Sequence, residues 1–193
     1  MAIRRQDILA AAQRILSEYG LADLTMRRLA AELDVQPGAL YWHVPNKQAL
    51  LAELADDLLA QVPEPSSRRR WDRQLTQLAT DLRTTLLGQR DGAEVVSASR
   101  ASSLDTSHLG KRIVEIVQAG GHTHAHASAS RDALLHFVIG YTFDEQSHAL
   151  MAEHGAAPAR FGDSDAAYAA ALSVVIAGVR APTAGRAGPS PAG

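Results

Sequence analysis

Apolar residues recur along this chain at intervals of three and four, and no stretch alternates apolar with polar at every second position. That period belongs to amphipathic helices, so the pattern predicts an all-α fold. Ile8, Ala12, Ile15, Leu16 and Tyr19 share one stripe of a first helix over 4–19, which Gly20 ends as a C-terminal glycine. Leu50, Leu51, Leu54, Leu58, Leu59 and Val62 line a helix over 46–62, capped by Asn46. After the break Pro63-Glu64-Pro65-Ser66-Ser67, Trp71, Leu75, Leu78, Leu82 and Leu86 mark a helix over 71–87. A turn at Arg90-Asp91-Gly92 leads to a short piece over 93–100. A helix over 106–119 then turns Leu109, Ile113, Ile116 and Val117 inward until Gly120-Gly121 stops it.

Two long helices follow. No charge interrupts 133–143 within the helix over 123–154, which implies burial on several sides and a second subunit against it. Gly155 to Gly162 reads as a loop, and Asp163 or Ser164 caps a last helix, uncharged and alanine-rich over 166–179. Small side chains let helix axes approach closely, so these two helices are expected to form a two-fold four-helix interface between copies. The tail over 181–193 has no apolar face and is expected to be disordered.

Residues 24–51 carry the most information. Thr25 precedes a short apolar face of Leu29, Ala30 and Leu33, with Leu24 placed to staple onto it. Pro37 suits the first position of a second short helix, and Val35 can staple onto Leu40. Val44 precedes Pro45 and is pushed out of the helical region, which limits this helix to about six to eight residues. Its outward side chains are Gln36, Gly38, Ala39, Tyr41, Trp42 and His43. Tyr41 and Trp42 either pack into a small core or lie against a DNA groove, where apolar surface meets thymine methyls.

Composition narrows the classes. With 193 residues, 46% of them apolar, the chain can bury a core of ordinary size. No cysteine is present, which excludes disulfides, thiolate metal sites and thiol catalysis. The first turns are charged throughout and hold no long apolar run, so neither a signal peptide nor a membrane span is expected, and a soluble cytoplasmic protein is. A net charge of −2 makes no global case for nucleic acid. Placement says more: Arg4, Arg5, Arg27, Arg28 and Lys47 fall near the proposed groove-facing ends.

The run LTMRRLAAELDV-PGALYWHVPNKQALL closely resembles the DNA-binding domain of the tetracycline-repressor (TetR) family. Arg90-Asp91-Gly92-Ala93, His136-Phe137 with Gly140, and Asp144-Glu145-Gln146 with His148 resemble the ligand-binding half of the tetracycline repressors. The resemblance implies a homodimeric, ligand-responsive transcriptional repressor on a palindromic operator. Its parts would be a helix-turn-helix head over 1–45, a connecting helix over 46–62 and a ligand-binding and dimerising body over 63–180. It places Gln36, Pro37, Gly38, Ala39, Tyr41, Trp42 and His43 in the major groove, with Thr25, Arg27 and Arg28 at the second helix. Arg27 is similar to the family's guanine-reading arginine, and Lys47 would hold a phosphate. Gly38 departs from the bulkier residue common there.

For the ligand, Pro63, Leu78 and Val96 stand where the tetracycline repressors carry polar groups, and none of them can hydrogen-bond through its side chain. His136 and Asp144 match, with Ser99 and Arg100 nearby. Leu82, Leu109, Ile113, Ile116 and Val117 are also implied as lining, together with Phe137, Gly140 and Phe143. A largely apolar or aromatic effector with one or two polar handles is expected, and no cofactor.

Two other clusters carry metal-ligand chemistry. His122, His124 and His126 could suggest a metal, but no further ligand or supporting shell is evident, and a polar helix entrance explains them. Asp144, Glu145 and His148 supply only one of the two motifs that a di-metal carboxylate site needs, so a structural or pocket-rim role is expected. Arg68-Arg69-Arg70 reads as a solvated linker. No nucleophile triad, phosphate loop or HExxH run is present, which argues against an enzyme. The alternatives are a metal-binding protein or metalloenzyme built on the histidines, and a constitutive DNA-binding dimer without effector.

Overall fold

In the amino-terminal half, most helix boundaries have a local cause. The computed structural model describes residues 3–99, 108–158 and 164–181. α1 (Arg5–Tyr19) opens where the Asp7 carboxylate accepts the Arg4 amide at 3.0 Å, and it closes on Gly20 at φ +87°. α2 (Met26–Glu32) is capped by Thr25, whose hydroxyl accepts the Arg28 amide at 3.1 Å. Such a cap contributes about 1 kcal/mol. α3 (Pro37–Tyr41) begins on Pro37 as expected but spans only 5 residues. The amides of His43 and Val44 both still bond to the Leu40 carbonyl at 2.9 Å. The coil therefore tightens onto buried Val44 just before Pro45 stops it.

α4 (Lys47–Leu59) is capped by Asn46, which accepts the Ala49 amide at 2.8 Å. It ends short of residue 62 because the Gln61 and Val62 amides close tighter turns onto Leu58 and Leu59 at 3.2 Å; Val62 is nonetheless buried. α5 (Trp71–Leu87), α6 (Gly92–Ser99) and α7 (His108–Ala119) follow. α8 (His124–Glu153) is capped by Thr123, and α9 (Ser164–Arg180) ends the described chain. No strand occurs among the described residues, and none of their helices is long and apolar enough to cross a membrane. The fold is all-α.

In the head, α2 packs on α1 and α3, and α1 on α4. α4 then runs onto α5 and α6, so one apolar core continues from Ile8 to Val179. In the body, α8 is enclosed by α5, α6, α7 and α9. One expectation changes. Tyr19, read as part of the buried stripe, is half exposed, with the Arg28 guanidinium 3.7 Å above its ring. The middle of α8 is buried on one side only: Leu134, Leu135, Val138, Ile139 and Thr142 point inward, whereas His136, Gly140 and Phe143 are exposed. α9 likewise exposes Ala166, Ala169, Ala170, Val174 and Ala177.

Candidate functional site

The choice left open for the aromatic pair at the end of α3 is decided by exposure. Trp42 is 90% exposed and Tyr41 49%, while Leu40 between α3 and the core is fully buried. Burying a tryptophan removes about 150–250 Å² of largely apolar surface from water, so leaving one out runs against folding and suits a surface that is covered by something else. Gln36, Pro37 and Gly38 are exposed beside them, with Ala39 and His43 half-buried. A Cβ on Gly38 would meet nothing, so the surface is open there.

α2 adjoins this surface. Thr25, Arg27 and Arg28 line an open concavity of about 440 Å³ with Ala22, Asp23 and Ala31. Arg27 is exposed. Arg28 is engaged within the head, donating to Asp23 Oδ1 at 2.5 Å while stacking on Tyr19. Lys47 Nζ lies 3.4 Å from the Leu21 carbonyl, at the amino-terminal end of α4. Arg4 and Arg5 are spent locally, on Asp7 and on a bidentate pair with Glu53 at 2.6 Å. Of the expected DNA set, the α2 and α3 residues therefore lie on two helices packed together, and Lys47 stands at the start of α4.

The expected ligand residues divide into two groups. Leu78 and Leu82 of α5, Val96 and Ser99 of α6, and Leu109, Ile113, Ile116 and Val117 of α7 are buried inside the body. Ser99 donates its hydroxyl to Val96 O at 2.8 Å. His136, Gly140, Phe143 and Asp144 are instead on the outer side of α8, and Phe137 is half-buried against Tyr168 of α9 at 5.5 Å. Arg100 lies outside the described residues, as does the tail from residue 182.

The body also holds a charged centre that sequence reasoning missed. Arg83 of α5 donates to both Glu145 oxygens, at 2.7 and 2.8 Å, and to Asp165 Oδ1 at 2.7 Å. The Arg83 and Glu145 side chains are each 7% exposed. Ser164 donates its hydroxyl to Glu145, and the guanidinium carbon lies 4.6 Å from the Tyr168 ring centre. Hydrogen bonding to Glu145 raises the Arg83 pKa further, while burial raises that of Tyr168, whose hydroxyl donates to Ala79 O at 2.9 Å. One buried cation thus joins α5, α8 and α9. The one advance sign was Glu145 on an otherwise buried face.

The histidines do not form a metal cage. His122 and His126 stack at 4.5 Å, the latter bonded through Nε2 to Val179 O at 2.8 Å, and His124 lies beside Ser128. Among the described residues no three His, Cys, Asp or Glu side chains gather closely enough to hold an ion. Arg68 and Arg69 of the arginine triplet are solvent-facing, and Arg70 pairs with Asp72.

Comparison with known proteins matches both parts of the molecule. Residues 8–54 fit the model described as bacterial regulatory proteins, tetR family, and residues 64–157 that of the tetracyclin repressor-like C-terminal domain. The chain is 31% identical over 160 residues to the class D tetracycline repressor of Escherichia coli, covering 81% of this chain and 73% of that one. It is similar to the crystal structure of BioQ with its natural double-stranded DNA operator, at a TM-score of 0.79 and 36% identity over 93% of this chain and 99% of that one. It is also similar to a single-substitution variant of TetR from Acinetobacter baumannii AYE in complex with minocycline, at a TM-score of 0.76 and 32% identity over 91% of this chain and 96% of that one.

Proposed function

The chain belongs to the tetR family of bacterial regulatory proteins, and from that premise we propose that it is a ligand-responsive transcriptional repressor, not an enzyme. It binds a palindromic operator as a homodimer in the cytoplasm and is released by a small effector. The observation that carries this is Trp42, 90% exposed at the carboxyl-terminal cap of a helix of 5 residues, with Tyr41 half exposed beside it. Neighbours of the same fold are seen with operator DNA and with minocycline, which supports both halves of the reading.

In this reading residues 1–45 are the DNA-binding head, 46–62 the lever and 63–180 the body. The α3 face of Gln36, Pro37, Gly38, Ala39, Tyr41, Trp42 and His43 enters the major groove. Arg27 reads guanine, Thr25 and Arg28 shape the α2 end, and Lys47 with the α4 amino terminus holds a phosphate. Two heads spaced about 34–36 Å apart meet successive grooves on one side of the duplex. The outer faces of α8, with Gly140 and Phe143, and of α9, with its exposed alanines, form the seam with the second copy.

The effector enters among Leu78, Leu82, Val96, Ile113 and Val117, so it is largely apolar, with Ser99 as one polar handle. His136 and Asp144 supply others at the seam. Because α4 packs directly on α6, a shift in the body reaches the head through one rigid element. The effector must bind the released form better than the DNA-bound form by the same factor that it weakens operator binding.

The test is fluorescence anisotropy of inverted repeats taken from beside the protein's own gene, titrated with purified dimer. Nanomolar binding to one of them is expected. Binding to no inverted repeat overturns the reading. Magnesium-tetracycline is the ligand probe, and tight magnesium-dependent binding would overturn the apolar effector.

A further inference from the structure

We propose that the turn between α5 and α6 is a clasp that sets the spacing of the two DNA half-sites, with Asp91 and Arg90 as its positioning residues. The proposal rests on the DNA-binding reading above. It concerns neither the groove-facing residues nor the ligand core.

The turn reaches across 70 residues of sequence to the far corner of the head. Asp91 Oδ2 accepts the Leu21 amide at 2.7 Å, just beyond the end of α1. Arg90 Nη1 donates to the Glu18 carbonyl at 3.0 Å, placing a cation at the carboxyl-terminal end of α1, where the helix dipole favours it. Gln89 Nε2 donates to Ser17 Oγ at 3.3 Å. On its other side the turn is tied to α8 by one side chain. Gln146 donates to the Leu86 and Gln89 carbonyls at 3.0 and 2.8 Å and accepts the Ala93 amide at 3.1 Å.

The backbone on both sides of the clasp is unusual. Asp91 sits at φ +55°, a region that side-chain-bearing residues rarely enter. Gly20 sits at φ +87°, and a Cβ there would lie 2.7 Å from Asp91 Oδ2. A Cβ on Gly92 would lie 2.5 Å from the Leu86 carbonyl. Asp91 thus holds a strained backbone, and Gly20 leaves the room, so that one carboxylate can meet one amide, a pattern that marks a working contact.

Its work follows from leverage. α4 carries the head on the body through its packing on α5 and α6. The clasp adds a second tie, from the far end of α1, that resists rotation about α4. With 13 residues, α4 is about 20 Å long. A swing of about 10° at that radius displaces the head by about 3.5 Å, close to one base-pair step of about 3.4 Å. Holding the turn in place therefore holds the spacing register.

The experiment uses the full-length dimer and a library of inverted repeats in which the half-site sequence and the spacer length both vary. Asp91→Gly removes the carboxylate without backbone strain, and Asp91→Asn keeps an acceptor. The wild-type protein is expected to favour one spacer about tenfold over its neighbours. Asp91→Gly should reduce that to about twofold while selecting the same half-site sequence, and Asp91→Asn, with a neutral acceptor, should fall between Asp91→Gly and wild type, since a bond to a charged acceptor can account for about a tenfold effect and a neutral one for less. Arg90→Ala, at an exposed position, gives an independent reading if Asp91→Gly fails to fold. An unchanged spacer preference in the variants overturns the clasp while DNA binding stands. If the wild-type dimer selects no inverted repeat, the DNA reading falls and takes the clasp with it.

Discussion

Replacing Glu145 by Gln tests the buried charge centre directly. The substitution keeps size and one acceptor but leaves the Arg83 cation, 7% exposed, with Asp165 as its remaining ionised partner in the centre. Asp165 is 85% exposed, so its attraction is largely screened and contributes under about 1 kcal/mol. The two short bonds from Arg83 to Glu145 are the shielded ones. Breaking a buried pair from one side costs about 3–5 kcal/mol, because a cation stripped of water is left without compensation. Against a stability of about 5–15 kcal/mol this is a large fraction. At about 2–4 °C per kcal/mol for a chain of this size, the melting temperature should fall by about 6–20 °C. The assay is thermal and urea unfolding followed by circular dichroism at one fixed protomer concentration, since dimerisation makes the midpoint concentration-dependent. The double variant Arg83→Met, Glu145→Leu removes both charges and should recover most of the loss. A Glu145→Gln protein within about 1 kcal/mol of wild type, or a double variant as unstable as the single, would refute the assignment.

Three further outcomes are expected. Asp72, buried under Arg70 and Arg180, has its carboxyl lowered from the ordinary 3.8 to about 2, chiefly by the Arg70 hydrogen bond. A folded-state value below the unfolded one stabilises above about pH 4 and is lost as pH falls towards 2. The ceiling is about 2 kcal/mol, less because both arginines are solvent-facing, and Asp72→Asn should flatten that acid limb in a pH series of urea midpoints. A Cβ on Gly120 would lie 2.6 Å from the rigid Trp71 indole, so Gly120→Ala should cost about 1–3 kcal/mol and alter the near-ultraviolet dichroism of Trp71 in a Trp42→Phe background. Arg27→Ala should relax preference at one base position by about 1–3 kcal/mol, whereas Lys47→Ala should weaken every operator alike and lower the salt slope by about one; equal losses on all operator variants for both would contradict these roles.

Local chemistry made most of the elements legible in the sequence. The caps at Thr25, Asn46 and Thr123 act on amides three residues away, and Pro37 and Pro45 bracket α3 by their own backbone limits. The stripe of Leu75, Leu78, Leu82 and Leu86 placed α5 at its observed bounds. The exposed run about α3 could be read for the same reason, since Pro37 and Pro45 leave room for little more than one turn. The inward placing of Leu78, Leu82, Ile113 and Val117 followed from helical period, which tells inward from outward on one helix.

Period does not say what stands opposite. A lone arginine on an amphipathic helix reads as solvated, so nothing local marked Arg83, whose partners lie 62 and 82 residues away. The same holds for Asp91, which meets Leu21 only because α5, α6 and α1 are brought to one corner. Tyr19 looked like core and Arg28 like a free phosphate contact until the fold set one upon the other. Helices and their apolar faces are set by interactions within a turn or two, which the chain states in order. Which buried charges are paired, and how the head is held to the body, depends on distances closed only when separate helices pack.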